Sequence, residues 1–123
     1  MTTQFLQICG PIQRTDSEHG WAELDLHQYQ GEVDIPAVAL LLEGIHQAAV
    51  RVGRLLIPQG TSAQARVLPV TVQKFTPLRH EIPRYCRVFV HAVPFGHAAR
   101  VRLDIQDVAQ QPVAVAELTV AKV

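Results

Sequence analysis

Apolar residues change their spacing twice along this chain, and those changes mark its elements. In Trp21 to Leu26, Ala22, Leu24 and Leu26 alternate with Trp21, Glu23 and Asp25, the period of a half-buried strand. Phe5 to Ile12 reads as a strand before it, with Asp16 to Gly20 as the turn between them. From Pro36 to about Leu56 the period lengthens. Val38, Leu41, Leu42, Ile45, Ala48, Ala49, Val52, Leu55 and Leu56 recur at helical spacing, with Asp34 or Ile35 where a cap belongs and Pro58 and Gly60 as the stop. The apolar arc is wide: between Ala37 and Val50 only Glu43, His46 and Gln47 are strongly polar. A helix of this kind is expected to be covered on most sides. Four further strands are predicted over Arg66 to Phe75, Tyr85 to Val93, Ala99 to Asp107 and Val113 to Ala121, separated by proline-bearing or polar turns.

Two strands, one long helix and four strands predict an α+β fold in which a central helix is wrapped by an antiparallel sheet of about six strands. The 123 residues suit one domain, 1–123, and show no repeat, low-complexity tract or linker. Eleven acidic and eleven basic residues balance, so charge makes no case for nucleic acid or an anionic membrane as partner. No signal-like N-terminus or spanning apolar run is visible, and the expected location is the cytoplasm. Cys9 and Cys86 lack ligand spacing, so they are expected as buried free thiols with no metal site.

The candidate chemistry lies just ahead of the helix. His27, Gly31 and Pro36 form a His-x-x-x-Gly-x-x-x-x-Pro spacing. A histidine can take and return a proton near neutral pH, Gly31 permits close backbone approach to a ligand, and Pro36 suits a helix start. This spacing resembles the first catalytic motif of polyketide-synthase dehydratase domains. The helix segment from Leu41 to Ala49, with Glu43 and then Gln47 one turn later, is similar to that of stand-alone acyl-carrier-protein dehydratases. Lys74 to Pro83 resembles their third strand and turn, and Pro112 to Val120 their last strand.

The resemblance implies the hot-dog fold of β-hydroxyacyl thioester dehydratases. It assigns His27 as base and Glu43 as acid, with Gly31 and the helix start at Pro36 polarising the thioester carbonyl and Gln28, Tyr29 and Gln47 beside the substrate. It further implies no cofactor, an acyl thioester on acyl-carrier protein or coenzyme A, a fatty-acid or polyketide-type pathway, and a homodimer in which His27 and Glu43 meet across the interface. The sequence departs from these patterns in places: the stand-alone enzymes' catalytic histidine falls at Gln28, a glycine after the motif proline is Ala37, and Glu43 sits one residue further from Pro36. Two alternatives follow, a hot-dog acyl thioesterase in which Glu43 or Asp34 activates water, and a non-catalytic subunit that binds an acyl chain, a carrier protein or an active homologue. From the residues alone, His27 also reads as a turn histidine, and Glu43, Gln47, Arg51 and Arg54 as the solvated stripe of the helix. Arg79, Arg84, Arg87, Arg100 and Arg102 fit either ordinary strand-face solvation or an acidic carrier protein.

Overall fold

The structure, a computed structural model, describes residues 7–26, 35–56 and 67–122. In chain order the elements are β1 (Gln13–Arg14), β2 (His19–Asp25), α1 (Ala37–Leu56), β3 (Val67–Pro77), β4 (Tyr85–Phe95), β5 (Ala98–Gln106) and β6 (Pro112–Lys122). The strands form one antiparallel sheet in the order β1-β2-β4-β5-β6-β3. Its inner face lies on α1.

The alternation read from the sequence decides which side chains meet the helix. Ala22 and Leu24 on β2, Val88, Val90 and Ala92 on β4, Ala99, Val101, Leu103 and Ile105 on β5, and Ala116, Leu118 and Val120 on β6 are buried. Against them α1 presents Leu41, Ile45, Ala48, Ala49 and Val52, all buried and spaced to share one face. Each large aliphatic side chain taken from water there contributes about 1.5–3 kcal/mol, which outweighs the modest helix propensities of this segment. The Pro36 carbonyl accepts the N–H groups of Ala39 (3.0 Å) and Leu40 (3.2 Å) and closes the first turn. Asp34, Pro58 and Gly60 lie outside the described residues.

Two sequence expectations need correction. The first strand is not a continuous run to Ile12. Cys9 makes an isolated bridge to Leu24, Gly10 N–H donates to Glu23 O at 2.8 Å, and Asp25 N–H to Ile8 O at 3.0 Å, whereas the regular pairing of β1 comes later. Pro11 lies between the two stretches and has no N–H to donate, so the ladder is interrupted there. The helix is also less covered than its apolar arc suggested. Val38 and Leu55 are exposed at its two ends, as are Glu43 and Arg54.

Turn chemistry sets the register. Asp16 Oδ1 accepts the N–H groups of Glu18 and His19, both at 2.8 Å, so β2 starts at His19, two residues earlier than its alternation indicated. Gly96 stands at φ 61° in the two-residue hairpin between Phe95 and Ala98. Only glycine adopts that conformation without steric cost. At the opposite edge of the sheet from β1, β3 pairs with β6 alone among the described residues and carries register shifts between Pro69 and Thr71 and between Val72 and Lys74.

Candidate functional site

A shallow, open groove of about 400 Å³ runs along α1, lined by Glu43, His46, Gln47, Val50, Arg51 and Arg54. These positions recur at three and four residues, so helical geometry alone places them on one stripe. The packing of the N-terminal segment against that stripe orders it.

Gln47 is the centre of the arrangement. Its Oε1 accepts the backbone N–H groups of Ile8 and Cys9, each at 2.9 Å, and its Nε2 donates to Glu43 Oε1 at 3.2 Å. Two backbone donors require the amide oxygen on their side, so the NH₂ end must face Glu43. One turn further on, Arg51 Nη1 donates to the carbonyls of Cys9 (2.6 Å) and Gly10 (2.8 Å). The N-terminal segment therefore lies against the helix with both donors and acceptors matched. Gly44 makes the close approach possible, because a Cβ there would stand 2.8 Å from Ile8 Cγ2 and 3.3 Å from Leu24 Cδ2. His46 is half-buried, and its Nδ1 lies 2.9 Å from the Leu42 carbonyl. A carbonyl can only accept, so Nδ1 carries a proton.

Glu43 is exposed at the end of the groove, while the neighbouring Ile45 side chain is fully buried. Pro36 is exposed at the helix start. His27, Gln28, Tyr29 and Gly31 lie outside the described residues, and with them the expected approach of His27 to Glu43. The structure therefore unites Glu43 and Gln47, as their spacing indicated. Sequence reasoning missed the tie to Ile8 and Cys9, whose only sequence signal is a glutamine at the edge of an apolar arc.

Several other titratable groups lie on the outer sheet face or in the core. Arg84 pairs with Asp25 (3.4 Å) and sits over Tyr85, Arg87 pairs with Glu23 (3.5 Å) and sits over Trp21, and Arg102 pairs with Asp104 (3.5 Å). This is strand-face solvation, and it neutralises most of the arginine cluster locally. A depression of about 300 Å³ on that face is lined by Tyr85, Arg87, Phe89 and Val108 among others. His19 and His91, directly opposed across β2 and β4, stack at 4.3 Å with Asp16 and Glu18 as their respective acceptors. Cys9 and Cys86 are buried free thiols, each pushed up to about 11 by burial. Among the described residues no cluster of His, Cys, Asp or Glu could hold a metal ion, and no helix is long and apolar enough to cross a membrane.

No family model matches the chain, and no curated protein matches it in sequence. Solved structures do match in shape. A thioesterase of Haemophilus influenzae superposes with a TM-score of 0.69 at 13% identity over 91% of this chain and 76% of its own. A Streptococcus mutans protein solved with bound acetyl-CoA gives 0.70 at 10% identity over 98% and 93%. A Staphylococcus aureus thioesterase, solved as a glutamine-to-alanine mutant, gives 0.63 at 10% identity over 90% of each chain. The same S. aureus protein carrying a glutamate-to-alanine mutation gives 0.61 at 12% identity over 91% of each chain. One helix on a six-stranded antiparallel sheet, in the shape of these proteins, is the hot-dog fold. At such identities the likeness is one of fold.

Proposed function

We propose that the protein hydrolyses acyl thioesters, with Glu43 as the base that activates water. The observation that carries this reading is the Glu43 carboxylate, exposed at one end of a groove and held from one side by Gln47 Nε2. A water hydrogen-bonded to Glu43 gives its proton to the carboxylate as its oxygen attacks the thioester carbon. The tetrahedral intermediate then expels the thiolate, which takes the proton back from Glu43 and leaves as the thiol, while the acyl group leaves as the acid. The developing oxyanion calls for N–H donors, for which Ala37 and Val38 at the start of α1, whose N–H groups precede the first bonds to Pro36 O, and Gly31 are the candidates. An exposed carboxylate suits a base better than the enclosed, protonated acid that dehydration requires.

Two further facts support hydrolysis. Several structural neighbours at this fold are thioesterases, and two other proteins of the same shape were solved with acetyl-CoA and with CoA. In the S. aureus protein the mutated glutamine and glutamate stand 15 residues apart, the separation of Gln28 and Glu43 here. On this reading Gln28 polarises the substrate carbonyl. The spacing of His27, Gly31 and Pro36 favours a second reading, dehydration of a β-hydroxyacyl thioester with His27 as base, and Tyr29 would line the substrate in either case. The substrate carrier is coenzyme A or acyl-carrier protein.

We further propose that the chain, as one hot-dog unit over 1–123, works as a dimer. The outer edge of β3, Val67–Pro77, has no strand partner among the described residues, and the backbone groups that alternate residues turn to it invite pairing with a second copy. Sedimentation is expected to give twice the 13.6 kDa chain mass, and a monomer at micromolar concentration contradicts it.

Products separate the chemistries. With saturated acyl-CoA and 3-hydroxyacyl-CoA as substrates, free thiol and acid are expected from both. Formation of the enoyl thioester without thiol release would overturn hydrolysis in favour of dehydration.

A further inference from the structure

The outer face of the sheet, away from α1, carries an apolar strip where a solvated face ordinarily carries polar residues. Phe89 and Val93 on β4 point away from the buried Val88, Val90 and Ala92, and both are exposed, as is Phe95 at the end of the strand. Trp21 stands directly across from Phe89 on β2, half-buried, with Arg87 over its ring at 4.5 Å. The charges beside this strip are mostly matched within the chain: Arg84 with Asp25, Arg87 with Glu23 and Arg102 with Asp104. Arg100 and Glu117 are left over, one of each sign, and their side chains have no ion pair or hydrogen bond among the described residues. Glu117 on β6 pairs with Arg102 of β5, so Arg100 lies diagonally from it, about 7–8 Å away.

We propose that a second copy of the chain covers this face, sheet against sheet, about a two-fold axis that lies in the plane of contact and passes between Arg100 and Glu117. In such a contact one surface meets itself, so Arg100 of each copy faces the partner's Glu117 and both leftover charges are matched twice over. The strip of Phe89, Val93 and Phe95 lies beside that axis and leaves water in the same contact. Charge selects the occupant. A single unpaired arginine beside a single unpaired glutamate offers no field to an acidic or a basic partner, whereas it is complementary to itself. Area agrees: four strands about 4.8 Å apart, over the 11 residues of β4 at about 3.3 Å each, give a footprint of about 700 Å². A standard specific interface takes about 800 Å² from each partner.

This contact uses the side of the sheet opposite α1, so it is independent of the hydrolytic reading and separate from the pairing of β3 edges. Two β3 edges that continue one sheet are related by an axis normal to it, while the face axis lies within its plane. The two axes are therefore perpendicular, as a closed assembly of four copies requires. The area is modest and much of the face is polar, which places this step at higher concentration than the edge pairing.

The test is sedimentation equilibrium of the whole protein from about 5 to about 500 µM, the range of modest association constants. Each variant is first confirmed folded by circular dichroism. The parent mass is expected to rise with concentration from twice toward four times the 13.6 kDa chain mass. Phe89→Ser is expected to weaken that step by at least about tenfold, as loss of a buried aromatic anchor does. Arg100→Glu and Glu117→Arg are each expected to weaken it about tenfold, because like charges then meet across the axis. The double variant carries both exchanges, restores opposite signs across the axis and is expected to associate like the parent. A parent that stays at two copies up to the highest concentration overturns the proposal, and this includes the case in which a different protein covers the face. Single charge variants that associate like the parent overturn it too, as does a double variant no stronger than the singles. A rise from one copy to two that Phe89→Ser abolishes would remove the edge pairing and leave the face contact standing.

Discussion

Gln47 Nε2 donates to Glu43 Oε1 at 3.2 Å while Gln47 Oε1 receives the Ile8 and Cys9 N–H groups at 2.9 Å each, so one amide couples the N-terminal segment to the candidate catalytic carboxylate. Truncating it acts at both ends. Gln47→Ala leaves two partly buried backbone donors without their acceptor, and the expected destabilisation is about 1–3 kcal/mol in chemical denaturation. Gln47→Glu retains an acceptor for them but places a second carboxylate beside Glu43. It is expected to be less stable than the parent at pH 7 in the same titrations, through repulsion between the two carboxylates. Equal stability contradicts the contact.

Gly44 sets the distance between the helix and Ile8. A methyl group on its Cα would meet the buried, β-branched Ile8 at 2.8 Å, a contact that no rotation of a flexible chain end relieves. Valine adds bulk toward Leu24. Overpacking costs about 1–3 kcal/mol, against the roughly 1 kcal/mol that leaving glycine returns to a helix interior. Gly44→Val is expected to unfold at lower denaturant by about 2 kcal/mol, with thioester turnover reduced because the segment that orients Gln47 is displaced. Unchanged stability would mean that Ile8 does not pack there.

Asp107 ties two loops together. Its Oδ2 accepts from Arg79 Nη2 at 2.6 Å, and its Oδ1 from the Ala109 and Gln111 N–H groups at 2.9 Å. The Arg79 hydrogen bond first, and then the Gln111 N–H, hold its carboxyl below the ordinary 3.8. A carboxylate depressed on folding contributes stability that is complete above its unfolded value and disappears as pH falls through the folded one. Asp107→Asn is therefore expected to be less stable than the parent at pH 7. The gap should narrow below about pH 4 in urea titrations at pH 7, 4 and 2.5. A gap that stays constant across that range contradicts the ion pair.

The sheet was legible because period-two alternation reports burial directly. Val88, Val90 and Ala92, and likewise Val101, Leu103 and Ile105, face the helix as their spacing indicated. The helix was legible for the same reason, and it begins within one residue of the sequence boundary at Pro36. The N-terminal strand was not, because its pairing depends on Pro11 interrupting the ladder and on Gln47 and Arg51 capping it from the helix, contacts about forty residues away in sequence. At the site, Glu43 and Gln47 stood out because a helix brings positions four apart together. The exposure of Glu43 was hidden, since an apolar arc shows which side is buried but not where its edge falls. Arg51 and Arg54 read as a solvated stripe from sequence, and only the groove shows them opposite a carboxylate.

The most direct measurement of the central claim is acyl-CoA hydrolysis by the parent and by Glu43→Gln, both confirmed folded, with thiol release followed continuously. Removing a positioned general base costs on the order of 10²–10⁴-fold in rate. Thiol release by the parent is expected to fall by that factor in Glu43→Gln, with no enoyl product from either protein. Equal rates in the two proteins, or no thiol release by the parent across acyl chain lengths, would contradict Glu43 as the base of a thioesterase.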